Sequence, residues 1–235
     1  MAEKKFSKSE ALRFGWEKTK SNFGFLLGVM MVVVAVNLLP SLIKTLREEY
    51  YFFWAIIKFV FTFLGAILQL GLIKIFIKLA DSREADFSDL FSCAPVFFKF
   101  LGGSVLYSLI VFVGLNLFIV PGIIWAVRFQ FFSYLIVNQG LGPIEALKKS
   151  FAMTKGAAWD LFVLGLLLMG IILLGAIPLF VGLLGAAPVM GIIPFWSIPF
   201  LVGLFLVAVP VASMTTAFVY RRLLTSEEPS PAVVD

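Results

Sequence analysis

A charge placed at the centre of a bilayer costs at least about 2.5–3.5 kcal/mol, which makes every charge inside an apolar run a candidate for function. This sequence holds two such charges, Lys58 and Arg128. An arginine fork can grip a phosphate or carboxylate with two parallel hydrogen bonds, so Arg128 is a candidate ligand for an anion or a lipid headgroup. If Pro121-Gly122 turns a helical hairpin, Asn116 lies five residues before the turn and Arg128 six after it. Both then share one depth, and the Asn116 carbonyl is placed to accept from the guanidinium. A structural reading, with Arg128 clamping the hairpin or reaching the headgroups, stands beside the ligand reading. Lys58 is four residues from Trp54, so its stem can climb the helix and set the ammonium among headgroups.

A second group is acidic: Asp81, Glu84, Asp86 and Asp89. Clustered carboxylates can hold Mg²⁺, as a lipid-headgroup enzyme would need. Asp86 and Asp89 equally suit helix capping, and Arg83 and Glu84 suit a wet loop. The chain has no histidine and one cysteine, Cys93. A His–carboxylate relay, a Cys-based metal cluster and an intramolecular disulfide are therefore excluded. No catalytic residue, metal or cofactor is expected.

The elements that must position these residues are set by composition. Of 235 residues, 61% are hydrophobic and 14% charged, against about 25% charged in an ordinary soluble domain. Uncharged apolar runs at 24–43, 161–177 and 199–220 are each about long enough to cross a hydrocarbon core of roughly 30 Å. The reading is an all-α polytopic membrane protein with spans at about 23–43, 53–77, 100–120, 123–137, 161–179 and 199–220. The first run is expected to be retained rather than cleaved, because the preceding residues are too charged for a signal peptide. One membrane domain fills 1–225, and 226–235 is expected to be a disordered tail. The stretch 180–198, rich in Gly and Pro, is expected to be an outer loop or a re-entrant segment.

Orientation follows the basic residues. Of nineteen Lys and Arg, Lys44 and Arg47 face one side, Lys58 and Arg128 lie in spans, and the other fifteen share the opposite side. That side is the cytoplasm, with both termini there. Trp54, Trp125 and Trp196 then mark the outer boundary, and Trp16 and Trp159 the inner one.

One phrase occurs twice. Residues 10–20 read EALRFGWEKTK and residues 145–155 read EALKKSFAMTK, identical at five of eleven positions. At 100° per residue, Leu12, Trp16 and Phe23 make an apolar stripe in the first copy. Ile144, Leu147, Phe151 and Ala158 make one in the second, with Met153, Ala146 and Ala157 extending it. Ser7-x-x-Glu10 reads as a capping box, and Pro143 opens the second helix with Glu145 at its third position. Both copies are expected to be amphipathic helices on the cytoplasmic leaflet, at about 7–21 and 143–157. A weaker third copy falls at 86–94. Arg13, Lys20, Lys148, Lys149 and Lys155 would attract anionic lipid, by about 1 kcal/mol each near the surface. With the third copy, the chain is three tandem units, each a short helix followed by a two-span hairpin.

The run 121–164 carries Pro121-Gly122 with Arg128, then Glu145-Ala-Leu-x-x-Ser150, then Thr154-x-Gly156-x-x-Trp159. With Asp86 to Phe91 and Tyr220-Arg-Arg222, it resembles the membrane domain attached to some bacterial glycerophosphoryl diester phosphodiesterases, and related uncharacterised free-standing membrane proteins. The resemblance covers about two thirds of the chain. It implies a multi-pass fold in a bacterial cytoplasmic (inner) membrane. The catalytic barrel and the histidines of those enzymes are absent here, so the resemblance transfers no reaction.

Three function classes follow. The favoured one is a non-catalytic membrane protein: a scaffold, a partner subunit or a factor in envelope and lipid homeostasis. The second is a transporter or a lipid or anion carrier using Arg128. The third and weakest is an enzyme working through Asp81 to Asp89. Expected partners are membrane lipids, anionic at the cytoplasmic leaflet, and a protein within the membrane. Nucleic acid is discounted, since the inner-side bias already explains the net charge of +5.

Overall fold

A computed structural model of the chain describes residues 6–42, 50–186 and 207–227. All regular structure among them is helical: α1 (Lys8–Ser21), α2 (Phe23–Leu42), α3 (Tyr51–Ala80), two 3₁₀ turns (Phe87–Leu90 and Ala94–Val96), α4 (Phe97–Leu117), α5 (Ile119–Phe129), α6 (Phe132–Gln139), α7 (Pro143–Met153), α8 (Ala158–Ala186) and α9 (Val209–Glu227). Four stretches are long and apolar enough to cross a membrane: Phe23–Pro40, Tyr51–Ala80, Phe87–Leu117 and Ile119–Gln139. A fifth is added if α7 and the first part of α8, bent by 99°, count as one. The expected sixth span lies partly outside the described residues, as do 187–198 of the expected outer segment.

Several expected boundaries move. α8 continues to Ala186, so 180–186 is helix rather than loop. Ser226 and Glu227 belong to α9, not to a tail. The third copy of the phrase is two 3₁₀ turns, because Pro95 limits it. The hairpin between α4 and α5 turns at Phe118, whose backbone is extended, and not at Pro121-Gly122. Pro121 instead sits in the first turn of α5, where the missing N–H has no helical partner to lose. Gly122 is there because α4 comes close; a Cβ on it would stand 2.6 Å from the Leu115 nitrogen.

The first copy of the phrase does not bury its apolar stripe; the second buries part of its own, with Leu147, Ala146, Met153 and Ala157 inside and Ile144 out. α1 buries Ala11, Gly15 and Thr19 and leaves Trp16 54% exposed. α7 buries Ala146, Leu147, Ser150 and Met153 with Thr154 just beyond, and leaves Ile144 exposed. Ala11, Gly15 and Thr19 occupy the same positions of the phrase as Ala146, Ser150 and Thr154. These are small residues four apart on one face, the pattern that lets two helix backbones approach. α1 accordingly packs on α9, where a Cβ at Gly15 would meet Thr215 Oγ1 at 2.2 Å and the Val211 carbonyl at 2.8 Å. α7 packs on α4, α5 and α6. The capping box at Ser7 does not form; Glu10 pairs with Arg222 of α9 instead (2.7 Å). In α7, Glu145 accepts from the Gly142 N–H at 3.3 Å.

The three short elements close a ring. The turn Phe87–Leu90 packs on α3, α7 packs on α5 and α6, and α1 packs on α9. The turn and α7 therefore dock on the second arms of the α2–α3 and α4–α5 pairs, and α1 docks on α9. α3 contacts both α6 and α9, and Tyr220 of α9 meets Phe131, just before α6, and Tyr134 within it. The buried core gathers here, in α2, the C-terminal half of α3, α6, α7 and α9, with Ala11 of α1. The first half of α3, the tips of α4 and α5, and the described side chains of α8 leave most of their large apolar residues exposed.

Candidate functional site

The residue singled out for anion binding sits beside an interruption. α5 and α6 are separated at Gln130-Phe131. Backbone groups freed at membrane depth need partners from the protein, and the second copy of the phrase supplies them. Ser150 Oγ donates to the Arg128 carbonyl at 2.9 Å and accepts from the Phe131 N–H at 3.2 Å. Thr154 Oγ1 lies within hydrogen-bond reach of the Arg128 carbonyl (3.1 Å) and the Ser150 carbonyl (2.8 Å). Two hydroxyls, one on α7 and one at its C-terminal cap, thus stitch the break between α5 and α6.

The Arg128 side chain turns to the same helix. Its guanidinium lies over the Phe151 ring, 3.3 Å from the centroid, and Nη2 donates to the Phe151 carbonyl at 3.0 Å. Phe129 stacks on Phe151 at 5.2 Å. Nε is buried without an acceptor among the described residues. Asn116 does not take part, contrary to the sequence expectation: it is exposed, and its amide donates to the Phe112 carbonyl of its own helix at 2.8 Å. The turn at Phe118 explains this. It puts Asn116 two residues before the bend and Arg128 ten after, so they are at different depths. Arg128 clamps α5 to α7 rather than α4 to α5.

Beside the clamp, α5 and α8 form an apolar groove of about 440 Å³, lined by Val120, Ile123, Ile124, Val127, Trp159 and Phe162. Lys58 follows the expectation from its spacing, with Nζ 4.9 Å from the Trp54 ring.

The acidic group is divided among structural tasks. Asp89 is buried and bonded to Lys78 at 2.7 and 2.8 Å, with Lys74 at 3.5 Å. It also accepts from the Asp86 N–H (3.0 Å), while Asp86 accepts from the Ser88 N–H (2.8 Å), closing a capping box. That backbone bond holds the Asp86 carboxyl below its ordinary range. Asp81 pairs with Arg221 of α9 and, at 3.7 Å, with Arg83. Among the described residues no three acidic, His or Cys side chains converge to hold a metal.

Of the cations expected at the membrane surface, Lys20, Lys148 and Lys155 are exposed. Arg13 is exposed but bonded to Glu17 at 2.7 Å, and Lys149 donates to Gln139 at 2.9 Å. What the sequence reading missed is Ser150 and Thr154. Their signal was present, since Thr154 recurs as Thr19, but a polar residue on an amphipathic helix reads first as solvent-facing.

Ser150→Ala should destabilise the protein by about 1–2 kcal/mol, by leaving the Phe131 N–H buried without its acceptor. Thr154→Val should cost less, because Ser150 still serves the Arg128 carbonyl. Denaturation of both variants in mixed detergent measures the difference, and the reverse order would refute the stitching role.

No protein-family model, curated protein or solved structure matches this chain.

Proposed function

We propose that this chain is a non-catalytic integral membrane protein that works by binding, as a scaffold, a partner subunit or a factor in envelope and lipid homeostasis. Its address is the cytoplasmic membrane of a bacterium, with six spans and both termini inside. The observation that carries this reading is that its polar groups are committed to holding helices together. Asp89 ties the 3₁₀ turn to α3, Asp81 reaches α9, Asp160 pairs with Lys8 (2.8 Å), and Arg128 joins α5 to α7. Carboxylates engaged in this way are not arranged to hold a metal or pass a proton to a substrate.

The charged end supports a cytoplasmic placement by its excess of Lys and Arg, and the exposed Lys20, Lys148 and Lys155 are suited to anionic lipid. A second reading, an anion or lipid carrier using Arg128, has one observation in its favour: Nε has no acceptor among the described residues. Native mass spectrometry of the protein purified with its own lipids tests both readings. The expected result is a bound lipid or protein subunit that stays chemically unchanged on incubation. Conversion of a bound lipid would end the non-catalytic reading. Loss of an anionic lipid specifically in Arg128→Leu would favour the carrier.

A further inference from the structure

The charged end holds a second feature that neither Arg128 nor the acidic group accounts for. A cleft of about 450 Å³ opens where α1 passes into α2 and α3 ends. Its walls include Lys18, Phe25, Leu79, Ser82, Arg83 and Glu84. A volume in this range suits a small ligand.

Ser82 is the unusual residue. Its φ is +57°, and it is the one non-glycine residue with positive φ among the described residues. The Arg83 N–H donates to the Lys78 carbonyl (2.9 Å) and the Ser82 N–H to the Leu79 carbonyl (3.1 Å). These bonds define a helix-ending turn whose left-handed position normally takes glycine. The chain does use glycine where α6 ends, at Gly140 (φ +65°), and after α7, at Gly156 (φ +82°). At Ser82 it carries a strained hydroxyl instead, and backbone strain of this kind collects at binding sites.

That hydroxyl accepts from Lys18 Nζ at 2.8 Å. Lys18 has no carboxylate within ion-pair distance among the described residues, unlike Lys8, Lys74 and Lys78. Arg83, whose side chain is 70% exposed, has only the 3.7 Å contact with Asp81, a partner also held by Arg221. An exposed pair of that length is weak, and it leaves the guanidinium fork available. The rim thus offers two cations against one carboxylate, Glu84, with hydroxyl donors between them. Phe25 and Leu79 supply apolar surface below. α2 and α3 are both apolar enough to span, so the cleft lies where they leave the bilayer.

The geometry points to a phosphoryl-binding site formed by Lys18, Ser82 and Arg83. The ligand is a phosphate ester, either the headgroup of an anionic phospholipid or a soluble ester. This stands apart from the non-catalytic reading, because a held phosphate that is not turned over leaves that reading intact.

The test uses the full chain in detergent, with native mass spectrometry reading retained phosphatidylglycerol, diacylglycerol of the same chains, and glycerol 3-phosphate. We expect one phosphatidylglycerol retained per protein and no diacylglycerol. Lys18→Gln with Arg83→Gln should lower retention at least about tenfold. Ser82→Gly should lower it several-fold while the thermal midpoint holds or rises, since glycine relieves the φ strain. Lys99→Gln, an exposed lysine outside the cleft lining that donates to the Gly140 carbonyl, should change it less than twofold. Glycerol 3-phosphate displacing the lipid would extend the site to soluble esters; failure to displace would assign it to lipid. Equal retention of diacylglycerol, equal losses in the double variant and in Lys99→Gln, or full retention in Ser82→Gly would each overturn the assignment.

Discussion

Gly71→Ala should lower the stability of the folded protein by about 3 kcal/mol, the largest effect expected of a methyl group added at any glycine among the described residues. The added Cβ would lie 2.2 Å from the Leu90 carbonyl oxygen and 2.3 Å from the Leu90 Cα. Those are backbone atoms of the turn that fastens the second hairpin to α3, and no rotamer change removes the clash. Gly15→Ala should be milder, because its nearest neighbour is the Thr215 side chain, although the Val211 carbonyl at 2.8 Å stays in the way. Thr215→Ala should therefore rescue Gly15→Ala only in part. Gly24→Ala is the control, with nothing within 4 Å of the new carbon; it should be neutral or gain up to about 1 kcal/mol from helix propensity. Denaturant titration in detergent separates the three. If Gly71→Ala matches Gly24→Ala, the turn is not seated on α3.

Asp89→Asn should cost about 2 kcal/mol and Asp89→Ala about 3 kcal/mol, because each leaves Lys78 at a largely buried site without its counter-charge. The Asp89 side chain is 7% exposed, and the lysines facing it about a third, so solvent screens part of the loss. Asparagine can still accept from the Asp86 N–H, which makes it the gentler change. Lys78→Met should cost less than either, since Lys74 remains at 3.5 Å to balance the carboxylate. A double-mutant cycle on Asp89 and Lys78 should give a coupling of about 1–2 kcal/mol. Zero coupling would mean that the pair is incidental to the fold.

Much of the architecture could be read from the residues. Apolar runs without charge leave helices in a bilayer as the available solution, and α2, α3 and α4 fall where those runs lie. Lys58 beside Trp54 was legible because four residues on a helix are one turn apart. Asp86 and Asp89 were legible as caps because short acidic side chains reach nearby N–H groups. The candidate site was less legible. Arg128 stood out as a cation in grease, but its partner was misread because the hairpin register depends on where the chain turns. Pro121-Gly122 is the stronger local turn signal, yet Phe118 takes the bend. Pro121 costs nothing in the first turn of a helix, and Gly122 serves the approach of α4.

What the amino acids alone settled is that the chain builds helices long and apolar enough to cross a membrane, and the importance of the twice-written phrase. What the phrase is for was settled by packing. An apolar stripe is recognised by how strongly its side chains prefer oil to water, and by that preference Trp16 and Ile144 come first. Close approach of two helices is governed by volume and by backbone polarity. That second requirement favours Ala11, Gly15 and Thr19 in one copy, and Ala146, Ser150 and Thr154 in the other. Which helix each copy meets depends on contacts between residues far apart along the chain, as between Gly15 and Thr215. No periodicity within a single segment carries that information.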